Sequence, residues 1–187
     1  MPYKIAIIPG SIRKGSINRK VARSICAIRG DNLDCDMVEI GGLPLYNPDL
    51  DDNPPEQWAR FREQIAAADG VLFVSPEYNR GIPGPLKNAI DVASRPYGQS
   101  VFDKKPAAIV TASPGSIGGF GANHQIRQSC VFLNMPVMQQ PEAYIGDAAA
   151  MFEGEALTAD GRKFLQSIIE GFADWADLTR REARKPG

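Results

Sequence analysis

Residues 9–18, PGSIRKGSIN, combine side chains that are suited to binding an anion. Ser11, Ser16 and Asn18 can donate hydrogen bonds, and Arg13 can make a two-pronged contact with phosphate oxygens. The segment follows an apolar run and precedes a helical pattern, so the start of that helix adds unpaired N–H groups and a partial positive charge. This combination predicts a phosphate-binding loop.

Two familiar nucleotide-binding loops do not match this segment. A P-loop requires a lysine and then a hydroxyl residue after its second glycine, but here Ser16 and Ile17 follow Gly15. A dinucleotide loop requires a middle glycine, which GSIRKG lacks. The remaining ligand is a monophosphate, and the phosphate of flavin mononucleotide (FMN) suits such a loop. A simpler alternative is a capped helix with ordinary turn serines.

The elements that must position this loop alternate between apolar strand-like runs and helical patterns. Residues 70–75, GVLFVS, are the clearest run, and such runs are typical of parallel strands covered on both faces. The pattern predicts strands at 3–8, 35–40, 70–75, 106–113 and near 137–140, and helices from Asn18, at 55–68, from Pro85, through HQIRQSCVFLN and at about 158–181. This alternation predicts one α/β domain, residues 1–187, with a five-stranded parallel sheet of order 2-1-3-4-5.

The strand order also predicts where a ligand binds. Ligands of such sheets lie beyond the carboxyl ends of the strands, where the strand order reverses. The loops that begin at Pro9, Pro76 and Pro114 follow strands 1, 3 and 4 and are rich in glycine and proline. We therefore expect these three loops to form one rim around a ligand.

Composition argues against several classes of protein. The 187 residues include 21 Lys and Arg and 22 Asp and Glu, a balance that does not suit a nucleic-acid surface. No apolar run reaches the roughly 18 residues of a membrane helix, and the start of the chain lacks a signal-peptide pattern. Three scattered cysteines make no disulfide framework and no CxxC pair, and the single histidine, His124, does not suit a zinc enzyme. We expect a cytoplasmic protein with no membrane association and no metal site.

Four segments resemble the NADPH-dependent FMN reductase family, which includes chromate, quinone and azo reductases. They are GSIRKGSIN, LPLYNPDL, SPEYNRGIPGPLKNAIDVASRP and SPGSIGG, and together they cover about residues 9–135 in the order of the family. The resemblance implies a flavodoxin-like three-layer sandwich, bound FMN, and NADPH or NADH as the electron donor.

The resemblance assigns cofactor-binding residues to each of the three loops. The first loop would hold the FMN phosphate, the second would lie beside the isoalloxazine and ribityl groups, and the third would border the other side of the ring. These residues are Ser11, Arg13, Ser16, Ile17 and Asn18; Pro76, Glu77, Tyr78 and Asn79; and Ser113, Gly115, Gly118 and Gly119. No side chain is assigned a catalytic role, because the flavin carries the redox chemistry.

The assignment also includes one expectation about the backbone and one departure from the family. The N–H groups of residues 77–79 are expected to bond to flavin carbonyls. The chain also departs from the family at Gly121, where members often have arginine or another polar residue.

These observations predict an FMN-dependent NAD(P)H oxidoreductase that reduces quinones by ping-pong two-electron transfer, with chromate, azo dyes and ferric chelates as further acceptors. The alternative is a flavodoxin-like electron carrier that binds FMN without steady NAD(P)H turnover. The family forms dimers or tetramers, which implies a homodimer or homotetramer here. Candidate contacts are the loop LPLYNPDLDDNPP and the helix from Pro85, with a second interface at Arg127, Glu142 and Tyr144.

Overall fold

The protein, in a computed structural model, is described for residues 2–183. The predicted domain spans residues 1–187, of which Met1 and residues 184–187 lie outside the described residues. None of the helices within 2–183 combines the length and the apolar character needed to cross a membrane.

A five-stranded parallel sheet forms the centre of the fold, with the predicted order β2-β1-β3-β4-β5. Every residue of β3 and β4 is buried, which explains why these strands read as continuous apolar runs. The strands are β1 (Tyr3–Pro9), β2 (Leu33–Met37), β3 (Gly70–Ser75), β4 (Ala107–Ala112) and β5 (Ala143–Ile145).

Helices cover both faces of the sheet and make the predicted three layers. One layer holds α1 and α5, whose Ile25 and Phe172 pack against one face of the sheet, and the other layer holds α2, α3 and α4, whose Phe61 and Ile90 pack against the opposite face. The helices are α1 (Ile17–Ile28), α2 (Glu56–Ala66), α3 (Gly84–Ala93), α4 (Phe120–Phe132) and α5 (Ala159–Ala183). A short hairpin, β6 (Phe152–Glu153) and β7 (Ala156–Leu157), precedes α5.

The predicted position of the fifth strand is wrong. Residues 137–140 contribute only an isolated bridge between Val137 and Ala107, and the ladder with β4 is formed by Ala143–Ile145. Pro141 has no N–H group to donate to a ladder, so regular pairing resumes only beyond it.

The cysteines are less scattered in the fold than in the sequence. Cys26 of α1 and Cys35 of β2 are half-buried and hydrogen-bonded to each other, although all three thiols are free. Cys130 of α4 is buried in the opposite layer.

Candidate active site

The three predicted loops meet at the carboxyl edge of the sheet. The N–H of Gly10 donates to the carbonyl oxygen of Val74 at 2.8 Å, which joins the ends of β1 and β3. The side-chain amide of Asn18 donates to the carbonyl oxygen of Ala112 at 2.9 Å, which joins the start of α1 to the end of β4. The loops 10–16, 76–83 and 113–119 therefore surround one region, as the strand order predicted.

The first loop leaves backbone N–H groups available at the start of α1. Ser16 is the N-cap residue of α1, and its Oγ accepts from the N–H of Arg19 at 3.3 Å. The N–H groups of Ile17 and Asn18 precede any intrahelical acceptor and have no hydrogen bond within the described chain. Together with the positive end of the helix dipole, and with Arg13 exposed beside them, these groups suit a phosphate.

Asn18 contains an acceptor without a donor. Its side chain is buried, and while its Nδ2 bonds to Ala112, its Oδ1 is the buried side-chain atom with no partner among the described residues. Buried polar atoms without a partner are rare in native structures. A ligand that brings a hydroxyl donor to this loop, as the ribityl chain of FMN does, would satisfy it.

The second loop is a tight hairpin that presents a tyrosine. Tyr78 and Gly81 exchange backbone hydrogen bonds of 3.1 and 2.9 Å, and Asn79 and Arg80 between them have φ of 51° and 64°. The Tyr78 residue is 54% exposed, so its ring is free to contact a planar ligand. Its N–H, however, donates to Gly81, so the expectation that all the N–H groups of residues 77–79 face a flavin is wrong for Tyr78.

Glu77 links the second loop to α4. Its Oε2 accepts from the N–H of Ala122 in the first turn of α4 at 2.9 Å, and its Oε1 lies 3.2 Å from Nη1 of Arg80. A carboxylate at the positive end of a helix dipole is favourable, and this side chain is only 10% exposed. The carboxylate is therefore engaged in holding the loop, and its position does not suggest acid–base work.

Gly121 has a packing reason for being glycine. A Cβ at this position would lie 2.7 Å from the carbonyl oxygen of Arg80 and 2.9 Å from Oε2 of Glu77. The departure from the family pattern at this residue therefore accompanies a close approach of the second loop to α4.

The third loop is shaped by glycines and by Ser113. Gly118 and Gly119 have φ of 66° and 79°, and a Cβ on Gly118 would lie 2.5 Å from the carbonyl carbon of Tyr144. Both glycines are buried, and their positive φ values serve the turn of the loop and not contact with a ligand. Gly115, in contrast, is exposed, and its N–H donates to Oγ of Ser113 at 3.0 Å. Of the four residues predicted in this loop, Ser113 and Gly115 are thus the two that remain accessible to a ligand.

An aromatic cluster beside the third loop escaped the sequence analysis. Phe120, His124 and Tyr144 pack together, and the Tyr144 hydroxyl donates to Oε1 of Glu142 at 2.8 Å and lies 3.2 Å from Nε2 of His124. Burial, together with the bond to Glu142, raises the pKa of Tyr144 to about 12. No spacing signal could reveal this cluster, because its residues come from α4 and β5.

The residues proposed for a second interface make contacts inside the chain. In addition to the Tyr144–Glu142 bond, Nε of Arg127 donates to Oδ1 of Asn123 at 3.0 Å and its Nη1 donates to the carbonyl oxygen of Met138 at 3.0 Å.

Within residues 2–183 there is no group of three or more His, Cys, Asp or Glu placed to hold a metal ion.

The three loops together fit FMN. The first supplies a phosphate site and an unpaired acceptor, the second supplies an accessible aromatic ring, and the third supplies an open backbone edge. Nothing in the set requires a metal or an activated nucleophile. The arrangement is suited to holding a planar redox cofactor by a phosphorylated tail.

Comparisons with known proteins agree with this geometry. The model of the family described as NADPH-dependent FMN reductase matches residues 3–150. A quinone reductase of Pseudomonas putida is 57% identical over 180 residues, covering 95% of this chain and 97% of that protein. A 2-hydroxy-1,4-benzoquinone reductase of a Burkholderia species is 44% identical over 177 residues, covering 94% and 97%.

A solved structure shares the fold over nearly its whole length. FerB of Paracoccus denitrificans, a flavoenzyme NAD(P)H:(acceptor) oxidoreductase, superposes with a TM-score of 0.89 at 37% identity, covering 95% of this chain and 98% of that one.

Proposed function

This chain belongs to the NADPH-dependent FMN reductase family, and we propose that it is an FMN-dependent NAD(P)H oxidoreductase that reduces quinones. The names of its relatives support quinones as acceptors. The observation that carries the proposal is the meeting of three loops around a helix start with free N–H groups and the unpaired Oδ1 of Asn18.

The predicted residues have distinct parts in this proposal. Ser11, Arg13, Ser16, Ile17 and Asn18 bind the phosphate and the adjoining ribityl group. Pro76, Tyr78 and Asn79 flank the ring from the second loop, and Ser113 and Gly115 border it from the third. Glu77, Gly118 and Gly119 fix the shape of these loops through the contacts described above.

The redox step needs little from the side chains. When bound, FMN supplies two-electron chemistry between a reduced nicotinamide and an acceptor. The first loop would bind its phosphate, and the exposed Tyr78 would contact its ring. Because a solvent-exposed site selects weakly among planar or small acceptors, we include chromate, azo dyes and ferric chelates as further acceptors.

Steady turnover tests this function against the electron-carrier alternative. The purified protein, loaded with FMN, is mixed with excess NADPH and 1,4-benzoquinone, and loss of the nicotinamide absorbance is followed. We expect consumption to continue far beyond one equivalent per protein, whereas a carrier would stop after the flavin is reduced. Free FMN at the same concentration is the control for uncatalysed reaction.

We further propose that the chain forms a homodimer or homotetramer through the surface where the ends of α3 and α4 meet. Tyr97 and Phe132 are 84% and 71% exposed there, and Phe132 lines one groove with Tyr97 and an adjoining groove with Ile90 of α3. Large exposed apolar side chains that lie together are typical of protein interfaces. The occupant that we propose is a second copy of the chain.

Two further proposals concern the domain organisation of the chain and its location in the cell. We propose a single domain, because both helix layers pack on one sheet. We propose a cytoplasmic location, because free cysteines are typical of a reducing compartment.

A further inference from the structure

Two cysteines face each other between the end of α1 and the edge strand β2. Along β2, Leu33, Cys35 and Met37 turn toward the core while Asp34 and Asp36 are exposed, so Cys35 points to the helix layer that contains α1. Cys26 packs against the same apolar cluster. The two thiols interact with each other through a side-chain hydrogen bond, and both residues are half-buried, so small reagents can reach them.

An arginine ties together the two backbone segments that carry these thiols. Nη1 of Arg29 donates to the carbonyl oxygen of Cys26 at 2.6 Å, and its Nε donates to the carbonyl oxygen of Leu33 at 3.2 Å. Cys35 itself is held in the sheet opposite Ile5 of β1. The sulfur atoms are therefore kept close by the fold rather than by chance contact of mobile segments.

The surroundings make the two thiols chemically unequal. The hydrogen bond with Cys35 lowers the pKa of Cys26, and the same bond raises the pKa of Cys35. The nearby Arg29 guanidinium favours the thiolate at both positions, while Asp36 opposes it at Cys26 and Asp34 opposes it at Cys35. Arg29 follows Cys26 by three residues and bonds to its carbonyl oxygen, whereas Cys35 lies between two aspartates in β2. Because the thiolate is the reactive form and a nearby cation favours it, we assign attack to Cys26 and resolution to Cys35.

We propose that Cys26 and Cys35 form a reversible disulfide when the protein meets a hydroperoxide. The Cys26 thiolate attacks one oxygen of hydrogen peroxide, and the O–O bond breaks. Hydroxide departs as the leaving group, and Cys26 becomes a sulfenic acid. The Cys35 sulfur then attacks the Cys26 sulfur, the S–O bond breaks, and the oxygen leaves as water with the proton of Cys35. Two thiols are oxidised, one peroxide is reduced to two waters, and a dithiol reductant reverses the change.

This site is independent of the proposed function. Cys26 lies near the last turn of α1, whereas Ser16 and the cofactor loops lie at its first turn. Disulfide formation is read by mass, not by turnover, so its outcome does not depend on whether the chain reduces quinones.

Mass spectrometry of the full-length protein tests the proposal. The protein is treated with hydrogen peroxide, denatured, alkylated and digested. Before alkylation, we expect the intact mass to fall by the mass of two hydrogen atoms. After digestion we expect a peptide that links Cys26 to Cys35 and one thiol that can still be alkylated. Dithiothreitol should restore all three thiols. An unchanged thiol count, or a disulfide that includes Cys130, would overturn the proposal.

Three variants assign the two roles. Cys130→Ser is the matched control and is expected to form the disulfide like the wild type, because burial raises the pKa of the Cys130 thiol to about 12 and leaves it unreactive. Cys35→Ser is expected to stop at a sulfenic acid on Cys26 that dimedone traps. Cys26→Ser is expected to react with peroxide at least about tenfold more slowly than Cys35→Ser. Equal dimedone labelling of the last two variants would contradict the assignment of Cys26 as the attacking thiol.

Discussion

Ser16 connects the stability of a helix to the binding of a ligand. Its hydroxyl caps α1 by accepting from Arg19, and the same residue lies beside the free N–H groups of Ile17 and Asn18. A change at this position can therefore alter the charge of the phosphate site while leaving the cap in place, because aspartate and asparagine cap helices as well as serine does.

Ser16→Asp should expel FMN without unfolding the protein. The new carboxylate caps α1 but repels the phosphate, and we expect FMN affinity to fall about 100-fold, equivalent to about 2.7 kcal/mol. Ser16→Asn is the neutral control and should keep affinity within about tenfold of the wild type. Quenching of flavin fluorescence in a titration measures both. Stoichiometric flavin in purified Ser16→Asp would contradict the phosphate assignment.

At the scale of elements, the second loop and α4 act as one unit. The Glu77 carboxylate bonds to the N–H of Ala122, and Gly121 allows the Arg80 carbonyl to approach the helix. The backbone of Asn79 and Arg80, both with positive φ, is held in this tight turn by contacts at each end. The geometry of the cofactor slot therefore depends on a contact between segments that are 45 residues apart.

Glu77→Ala should loosen this unit. Removing the carboxylate leaves the first turn of α4 without its cap, and we expect the free energy of unfolding of the FMN-free protein to fall by about 1–2 kcal/mol. FMN affinity should fall as well, because the loop loses its anchor. Urea unfolding without cofactor separates the two effects.

Arg80→Ala is the control for this prediction. It removes the ion-pair partner of Glu77 but leaves the bond to Ala122, and the Arg80 side chain is 72% exposed, so we expect less than about 0.5 kcal/mol of change. If Arg80→Ala costs as much as Glu77→Ala, the ion pair rather than the helix cap holds the loop.

The elements also show what sequence can and cannot reveal here. β1, β3 and β4 were predictable because buried parallel strands are apolar at nearly every position, and their order follows from short right-handed connections. β5 was misplaced because this three-residue edge strand is too short to give a clear pattern, and the apolar pair Val137 and Met138 lies just before it. The phosphate loop is local in sequence and was recognised, but the Glu77–Ala122 bond and the Cys26–Cys35 contact join distant segments and left no signal.

At the scale of the whole molecule, charge and apolar surface suggest different partners for different faces. With 21 cations against 22 anions the chain has no strong overall field to attract a nucleic acid. The large exposed side chains of Tyr97 and Phe132 instead line one groove beside the ends of α3 and α4. This surface is where we expect a second copy to bind.

Phe132→Asp should dissociate the oligomer. A carboxylate in the centre of an apolar interface is left desolvated and unpaired, which costs several kcal/mol and favours the monomer. Phe164→Asp, on α5 in the opposite layer, is the control and should leave the assembly intact. Light scattering coupled to size exclusion measures the mass of each. An assembly of unchanged mass for Phe132→Asp would rule out this surface as the interface.

The central claim is that three loops at one edge of the sheet hold FMN by its phosphate for reduction by a nicotinamide. The most direct measurement is the visible spectrum of the purified protein, recorded without oxygen before and after NADPH or NADH is added. The account predicts a yellow flavin spectrum that bleaches on addition of the donor. A protein that stays colourless after incubation with excess FMN and removal of the free cofactor would contradict it.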